Sequence, residues 1–174
     1  MTKTRSGIII LIIFVSSVHA QTRISQESYV LFKIKTWKIF TKKGLIGGMR
    51  GSIQFYPDDP DNSRFDVCID PGTVDTGNKK EDKHIKSADF LDIDRYPSIC
   101  ITSENIIKKD DQYEFIGNLT LHGVTREVVM PFTSKDQTFK GTIEINRLDY
   151  GIASKMGLFK ADDKIVIEIN CMME

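Results

Sequence analysis

The sequence predicts an all-β fold of one domain carrying a single short helical segment, and three observations support that expectation. Apolar and polar residues alternate at period two through most of the chain, as in strands with one buried face. Polar turns rich in Asp, Asn, Gly and Pro separate the alternating runs. Only Asn78 to Asp92 breaks the habit, with a charged, helix-like composition. The 174 residues suit one domain, and 40% apolar with 28% charged residues is an ordinary globular mixture. Twenty-four basic groups balance 24 acidic ones, so the chain as a whole offers no attraction for nucleic acid and no long-range pull toward anionic lipid.

The first twenty residues stand apart. Lys3 and Arg5 precede the unbroken apolar run Ile8 to Val15, and the small residues Val18 and Ala20 lie just before a cut at Gln21. That is the plan of a secretory signal peptide over residues 1–20. The apolar run is too short for an integral membrane span, which takes about 18 residues or more. Residues 21–174 are then the mature domain, 154 residues with 22 basic and 24 acidic groups, periplasmic or secreted.

Each element follows from its own pattern. Val30, Phe32 and Ile34 share one face of a first strand, with Lys33 and Lys35 on the other. Ile53 and Phe55 repeat the alternation before the turn Pro57 to Asn62, and Phe65, Val67 and Ile69 alternate against Asp66, Cys68 and Asp70. Asn78 is a plausible N-cap for the helical stretch, whose sparse apolar residues Ile85, Phe90 and Leu91 suit a surface position over a sheet or across an opening. Ile99 and Ile101 follow, then Tyr113 to Ile116 beyond the polar turn Lys108 to Asp111. Leu119 and Leu121 lead through His122-Gly123 into a strand ending near Phe132. Phe139, Gly141, Ile143 and Ile145 keep phase from Thr138 to Asn146, and Ile165 to Cys171 closes the chain. Eight to ten such segments make a sandwich or a barrel, and alternation alone does not choose between them. A barrel of about eight strands is either filled by side chains or holds one small apolar ligand.

Little here points to catalysis. His84 and His122 are the histidines beyond residue 20; the first sits among charged residues and the second in a turn, where a hydrogen bond to backbone is expected. GxSxG, HExxH and glycine-rich phosphate loops are missing, so no enzyme, metal or cofactor is expected. Asp75 to Asn78, Leu121 to Thr125 and Asn146 to Gly151 read as turn-fixing clusters. Cys68, Cys100 and Cys171 are odd in number and lack zinc spacing. Cys171 continues the apolar phase of Ile165, Ile167 and Ile169. A Cys68–Cys100 disulfide stays open in an oxidising compartment, with three buried thiols as the expectation.

Taken in order, several stretches resemble the YceI-like family of secreted lipid-binding proteins. They are Ser28 to Lys35 (SYVLFKIK), Gly51 to Phe55 (GSIQF), Asp75 to Asn78 (DTGN), Asp82 to Phe90 (DKHIKSADF), Tyr96-Pro97, Gly117 to Thr125 (GNLTLHGVT) and Ile145 to Ile152 (INRLDYGI). The resemblance implies a lipocalin-like, antiparallel, eight-stranded barrel around an apolar cavity for a polyisoprenoid, quinone or fatty-acid-like ligand. The chain departs from the family pattern at Lys35 to Phe40, at Gly44-Leu45-Ile46 and from Ala153 to Asp163, which leaves ligand length and the shape of the mouth open.

The expected ligand-facing residues are Val30, Phe32, Ile34, Ile53, Phe55, Val67, Ile69, Ile99, Ile101, Leu119, Leu121, Ile143 and Ile145, with Ile85 and Phe90 covering one end. His84, Lys86 and Arg147 are candidates for a polar headgroup. The expected function is sequestration or transport of a long-chain amphiphile; the alternative is a non-enzymatic envelope interaction module with a filled barrel or sandwich. Oligomeric state, a dimer included, is not legible.

Overall fold

A computed structural model describes residues 23–36, 40–153 and 161–174; the expected signal peptide lies outside the described residues. Among the described residues, nine strands form one antiparallel sheet: β1 (Tyr29–Thr36), β2 (Phe40–Ile46), β3 (Arg50–Gln54), β4 (Arg64–Ile69), β5 (Ile99–Lys109), β6 (Gln112–Leu121), β7 (Val124–Lys135), β8 (Thr138–Asn146) and β9 (Ala161–Met172). The ladder runs β2-β1-β9-β8-β7-β6-β5-β4-β3, and the sheet curls into a half-barrel. The fold class is as expected, with nine strands in place of eight. The additional strand is β2, whose sequence FTKKGLI lacks a clean alternation because Lys42 and Gly44 occupy inward phases.

No ladder joins the edge strands β2 and β3 among the described residues. The chain leaving β4 stitches that seam instead. Asp70 N–H donates to the Gly47 carbonyl (3.1 Å), Gly47 N–H donates to Thr73 Oγ1 (2.8 Å), and Leu45 and Asp75 exchange backbone bonds of 2.8 and 2.9 Å. The backbone groups that an edge would leave open are thereby partly satisfied.

Helix α1 (Lys79–Lys86) is shorter than the expected Asn78 to Asp92. Asn78 caps it as read from sequence, its side-chain oxygen accepting from Lys80 N–H and Glu81 N–H. The helix stops because Ser87 turns its backbone N–H and its hydroxyl onto the His84 carbonyl (3.2 and 2.7 Å), a local bond that competes with helix continuation. Tight turns then carry the chain to Tyr96.

Cross-strand pairs place apolar residues opposite one another on the inner face, among them Val67 and Ile101, Ile101 and Leu119, and Ile145 and Ile165. The two halves of the interior differ in content. At the end holding the β5–β6 and β7–β8 hairpins, Phe55 packs edge-on against Tyr113, Phe139, Phe132 and Phe65, with centroids 4.9 to 6.1 Å away. Phe115 and Ile106 beside them are fully buried. The opposite end is aliphatic, built on Leu119, Leu121, Ile145 and Ile152 with Tyr150.

The cysteines correct the expectation of three thiols. Cys68 and Cys100 are direct partners in the β4–β5 ladder, with Cα atoms 4.1 Å apart, and are joined as a disulfide. Both lie on the outer face, in antiphase to Val67, Ile69, Ile99 and Ile101. Their shared polar face was readable, but the register pairing one with the other was not. Cys171 is free and buried, and burial pushes its thiol up to about 11 against a hydrogen bond from Ser28.

Candidate ligand-binding cavity

A cavity of about 530 Å³ occupies the aliphatic half of the interior. Its wall follows from the alternation: β1 contributes Val30, Phe32 and Ile34, β4 Val67 and Ile69, β5 Ile99 and Ile101, β6 Leu119 and Leu121, and β8 Ile145. Ile85 of α1 and Phe90 beyond it cover part of one end. The structure thus brings twelve of the expected residues into one lining.

Three others lie elsewhere. Phe55 sits at the centre of the aromatic pack, and Ile53, paired with Phe65, belongs to the same region. Ile143 packs between the aromatic and aliphatic clusters. All three follow the inward phase, but phase fixes the face of a strand and not the height along it. The wall is completed by residues not singled out from sequence: Ile165, Ile167 and Ile169 of β9, Ile46 and Met49 near the seam, and Leu91 and Ile152. The β9 residues carried the same alternation signal and are the ones sequence reading had the means to find.

Gly44 shapes this wall by its lack of a side chain. A Cβ there would stand 2.5 Å from Cζ of Phe32 and 2.9 Å from Cγ2 of Thr76, so glycine is what lets the Phe32 ring approach β2 this closely. Helix α1 is fastened over the opening from two sides. Lys42 Nζ of β2 pairs with Glu81 Oε1 at 2.6 Å. Thr76 donates from Oγ1 and from N–H to Asp82 Oδ1 (2.7 and 2.8 Å), and these bonds hold the Asp82 carboxyl below its ordinary value.

The helix explains how the headgroup candidates divide. Glu81, His84 and Ile85, spaced by three and four residues, share the face toward the cavity. Lys86 lies off that face and outside the lining. His84 is exposed, with its ring 4.6 Å from that of Phe90. Arg147 also lines the cavity but is buried and heavily committed. Its Nη1 donates to the carbonyls of Ile152 and Ala153 (3.0 and 3.2 Å), Nε to the Asp162 carbonyl (3.3 Å), and Nη2 to Asp163 Oδ1 (2.7 Å). Arg147 therefore pins the chain on either side of residues 154–160 to the wall. His122 stays in its turn with Nδ1 3.0 Å from the Tyr150 carbonyl, the backbone bond expected of it. Its neighbour Gly123 has φ +73°, and a Cβ there would meet the Tyr96 ring at 2.4 Å.

Chemically, the lining is almost wholly hydrocarbon. Its charged members are Lys42, Lys43, Glu81 and Arg147, and the described lining residues include no serine or cysteine nucleophile. No group of three His, Cys, Asp or Glu residues suited to a metal occurs among the described residues, and no described helix is long and apolar enough to cross a membrane. The arrangement suits holding an apolar molecule by shape and area.

A family model described as YceI-like domain matches residues 21–173. The chain is 28% identical over 167 residues to a protein YceI of Salmonella newport, spanning 88% of this chain and 87% of that one. Among solved structures, Burkholderia cenocepacia BcnA superposes with a TM-score of 0.77 at 21% identity, covering 83% of this chain and 95% of that one. A Campylobacter jejuni YCEI protein gives a TM-score of 0.63 at 24% identity, over 79% and 88% of the two chains. A polyisoprenoid binding domain from Saccharophagus degradans, implicated in plant cell wall breakdown, gives 0.65 at 10% identity over 88% and 98%. These structural likenesses show a shared fold.

Proposed function

The chain belongs to the YceI-like domain family, and from that premise we propose that it is an exported lipid-binding protein that sequesters or carries a polyisoprenoid or similar long-chain amphiphile. The observation that carries this reading is the cavity: about 530 Å³, walled by aliphatic side chains from β1, β4, β5, β6, β8 and β9. That volume falls in the roughly 300–1,000 Å³ range of small-molecule sites. Burying about ten CH₂ groups at ~0.8 kcal/mol each supplies on the order of 8 kcal/mol toward binding without any charged contact. An interaction module with a filled barrel would leave a space of this size unexplained.

Export is supported by the amino-terminal pattern of residues 1–20 and by the Cys68–Cys100 disulfide, which suits an oxidising compartment. The role is binding without chemistry, with no cofactor and no nucleic acid. The apolar tail fills the aliphatic half, and its polar end lies toward His84.

Native mass spectrometry of protein purified from its own cell envelope tests the proposal, paired with uptake of a prenyl quinone and a fatty acid from detergent solution. A bound lipid, or saturable uptake of either probe, is expected. Empty protein that takes up neither probe sinks the reading.

A further inference from the structure

The mouth of the cavity has a composition its wall does not share. Of the described lining residues, four are exposed: Phe40, Lys42, Lys43 and His84. Phe40 is 65% exposed, the largest fraction among the exposed large apolar residues of the described chain. Its own strand β2 and the helix α1, tied to that strand by Lys42 and Glu81, together carry Lys42, Lys43, Lys79, Lys80, Lys83 and Lys86 against Glu81 and Asp82. These two short elements therefore hold a net charge of four positives in a chain whose total is zero. Both acids are already engaged, Glu81 by Lys42 and Asp82 by Thr76. The chain-wide balance conceals a local excess of positive charge on the two elements that border the opening.

We propose that the mouth docks on an anionic lipid bilayer, the lysines of β2 and α1 meeting lipid phosphates and Phe40 entering the interfacial layer. An exposed aromatic on a lysine-bearing strand tied to a lysine-rich helix is a composition that gains from both the negative surface potential and the apolar boundary of a bilayer. The other end offers no such arrangement, since its exposed aromatic, Tyr56, sits beside Asp58 and Asp59 in place of lysines. The inference rests on the lipid-carrier reading for its purpose: docking by the mouth lets an apolar tail pass between bilayer and cavity without crossing water. The docking itself needs no cavity ligand, so it stands or fails separately.

The test is sedimentation of purified protein with vesicles of phosphatidylcholine alone and of phosphatidylcholine mixed with phosphatidylglycerol, at low and high salt. Binding is expected to the mixed vesicles only, and to fall as salt screens the lysines. Each lysine near the surface contributes about fivefold, so Lys79→Gln, Lys80→Gln and Lys83→Gln together should weaken binding about a hundredfold. These three are exposed on α1 and outside the lining, so quinone uptake from detergent solution should be unchanged and reports that the barrel is intact. Lys108→Gln, Lys135→Gln and Lys140→Gln make the same charge change away from the mouth and should have little effect. Phe40→Ser should weaken the binding that survives high salt. Equal loss from the two lysine sets, equal binding to both vesicle types, or no vesicle binding at all would each overturn the proposal. Vesicle binding with no quinone uptake would support docking while refuting the carrier reading.

Discussion

Replacing Cys68 and Cys100 with serine removes the one crosslink in the described sheet and should lower stability by about 3.7 kcal/mol. The figure follows from the sequence separation of 32 residues. Closing a loop of that length removes roughly 12 cal/mol/K of entropy from the unfolded chain, or about 3.7 kcal/mol at 25 °C. For a chain of this size each kcal/mol moves the melting temperature by about 2–4 °C, so a fall of about 7–15 °C is expected. Native-state damage should be small, because both side chains are half-buried on the outer face and the β4–β5 ladder persists through Asp66, Val67 and Ile69. Urea unfolding of wild type and C68S/C100S, each with and without reductant, checks this. The midpoint should fall and the slope should rise as the unfolded chain expands. Reductant should bring the wild type to the variant's curve and leave the variant unmoved. Because the stabilisation acts on the unfolded chain, probe affinity should stay nearly unchanged, although Val67, Ile69, Ile99 and Ile101 on the reverse of these strands line the cavity. A loss below about 1 kcal/mol, or an equal effect of reductant on both proteins, would refute the reasoning.

Further outcomes follow from the division of the interior. Phe115→Ala should cost about 3–5 kcal/mol in urea unfolding, since Phe115 is fully buried in the packed end. Ile167→Trp, which projects a larger ring into the cavity, should stay within about 2 kcal/mol of wild type yet reduce quinone uptake at least tenfold. Arg147→Met strands the Ile152 and Ala153 carbonyls and Asp163 and should cost about 3 kcal/mol; Arg147→Lys should recover only part of it, because an ammonium cannot reproduce the forked set of bonds. Cys171 should not react with a thiol reagent in native protein at pH 8 and should react once the chain is unfolded. Its ordinary value is 9.0 and the folded chain holds the proton to about 11, so the unfolded state releases protons first as pH rises. The associated stability, about 3 kcal/mol, is complete below pH 9 and is lost between pH 9 and 11; unfolding of wild type and Cys171→Ala across that range reads it.

Alternation made the inner face legible because a strand's period of two is a local property, readable from five or six residues. It placed Val30, Phe32, Ile34, Val67, Ile69, Ile99, Ile101, Leu119, Leu121 and Ile145 on the surface that became the cavity wall. Height along the barrel is not local. Whether an inward residue meets the cavity or the aromatic pack depends on the stagger between strands, and so Ile53, Phe55 and Ile143 shared the phase but not the lining. The Cys68–Cys100 pairing was hidden for the same reason, since it rests on the register of two strands 32 residues apart. Strand β2 was hidden differently. Gly44 and Lys42 take inward positions there because a ring lies against one and an ion pair reaches from the other, so the hydrophobic signal of a strand is missing where the site needs it to be.

Residue size accounts for the two halves of the interior. Aromatic side chains cluster where β3, β4, β6, β7 and β8 meet, and rings touching edge to face leave little space. At the other end Val, Ile and Leu occupy equivalent inward positions, and side chains of that length do not reach across a sheet curled by nine strands. An apolar space costs stability for as long as its lining lacks contacts, which a core packed throughout would not tolerate. The packed end and the crosslink between β4 and β5 supply the rigidity that the open end forgoes. Stability and binding capacity are therefore set by different residues of the same strands: in β6, Phe115 belongs to the packed end, while Leu119 and Leu121, two and three repeats of the pleat further on, belong to the wall. Substitutions at Phe115 should act on folding and those at the wall on uptake of an apolar probe, because the two sets share strands but not surroundings.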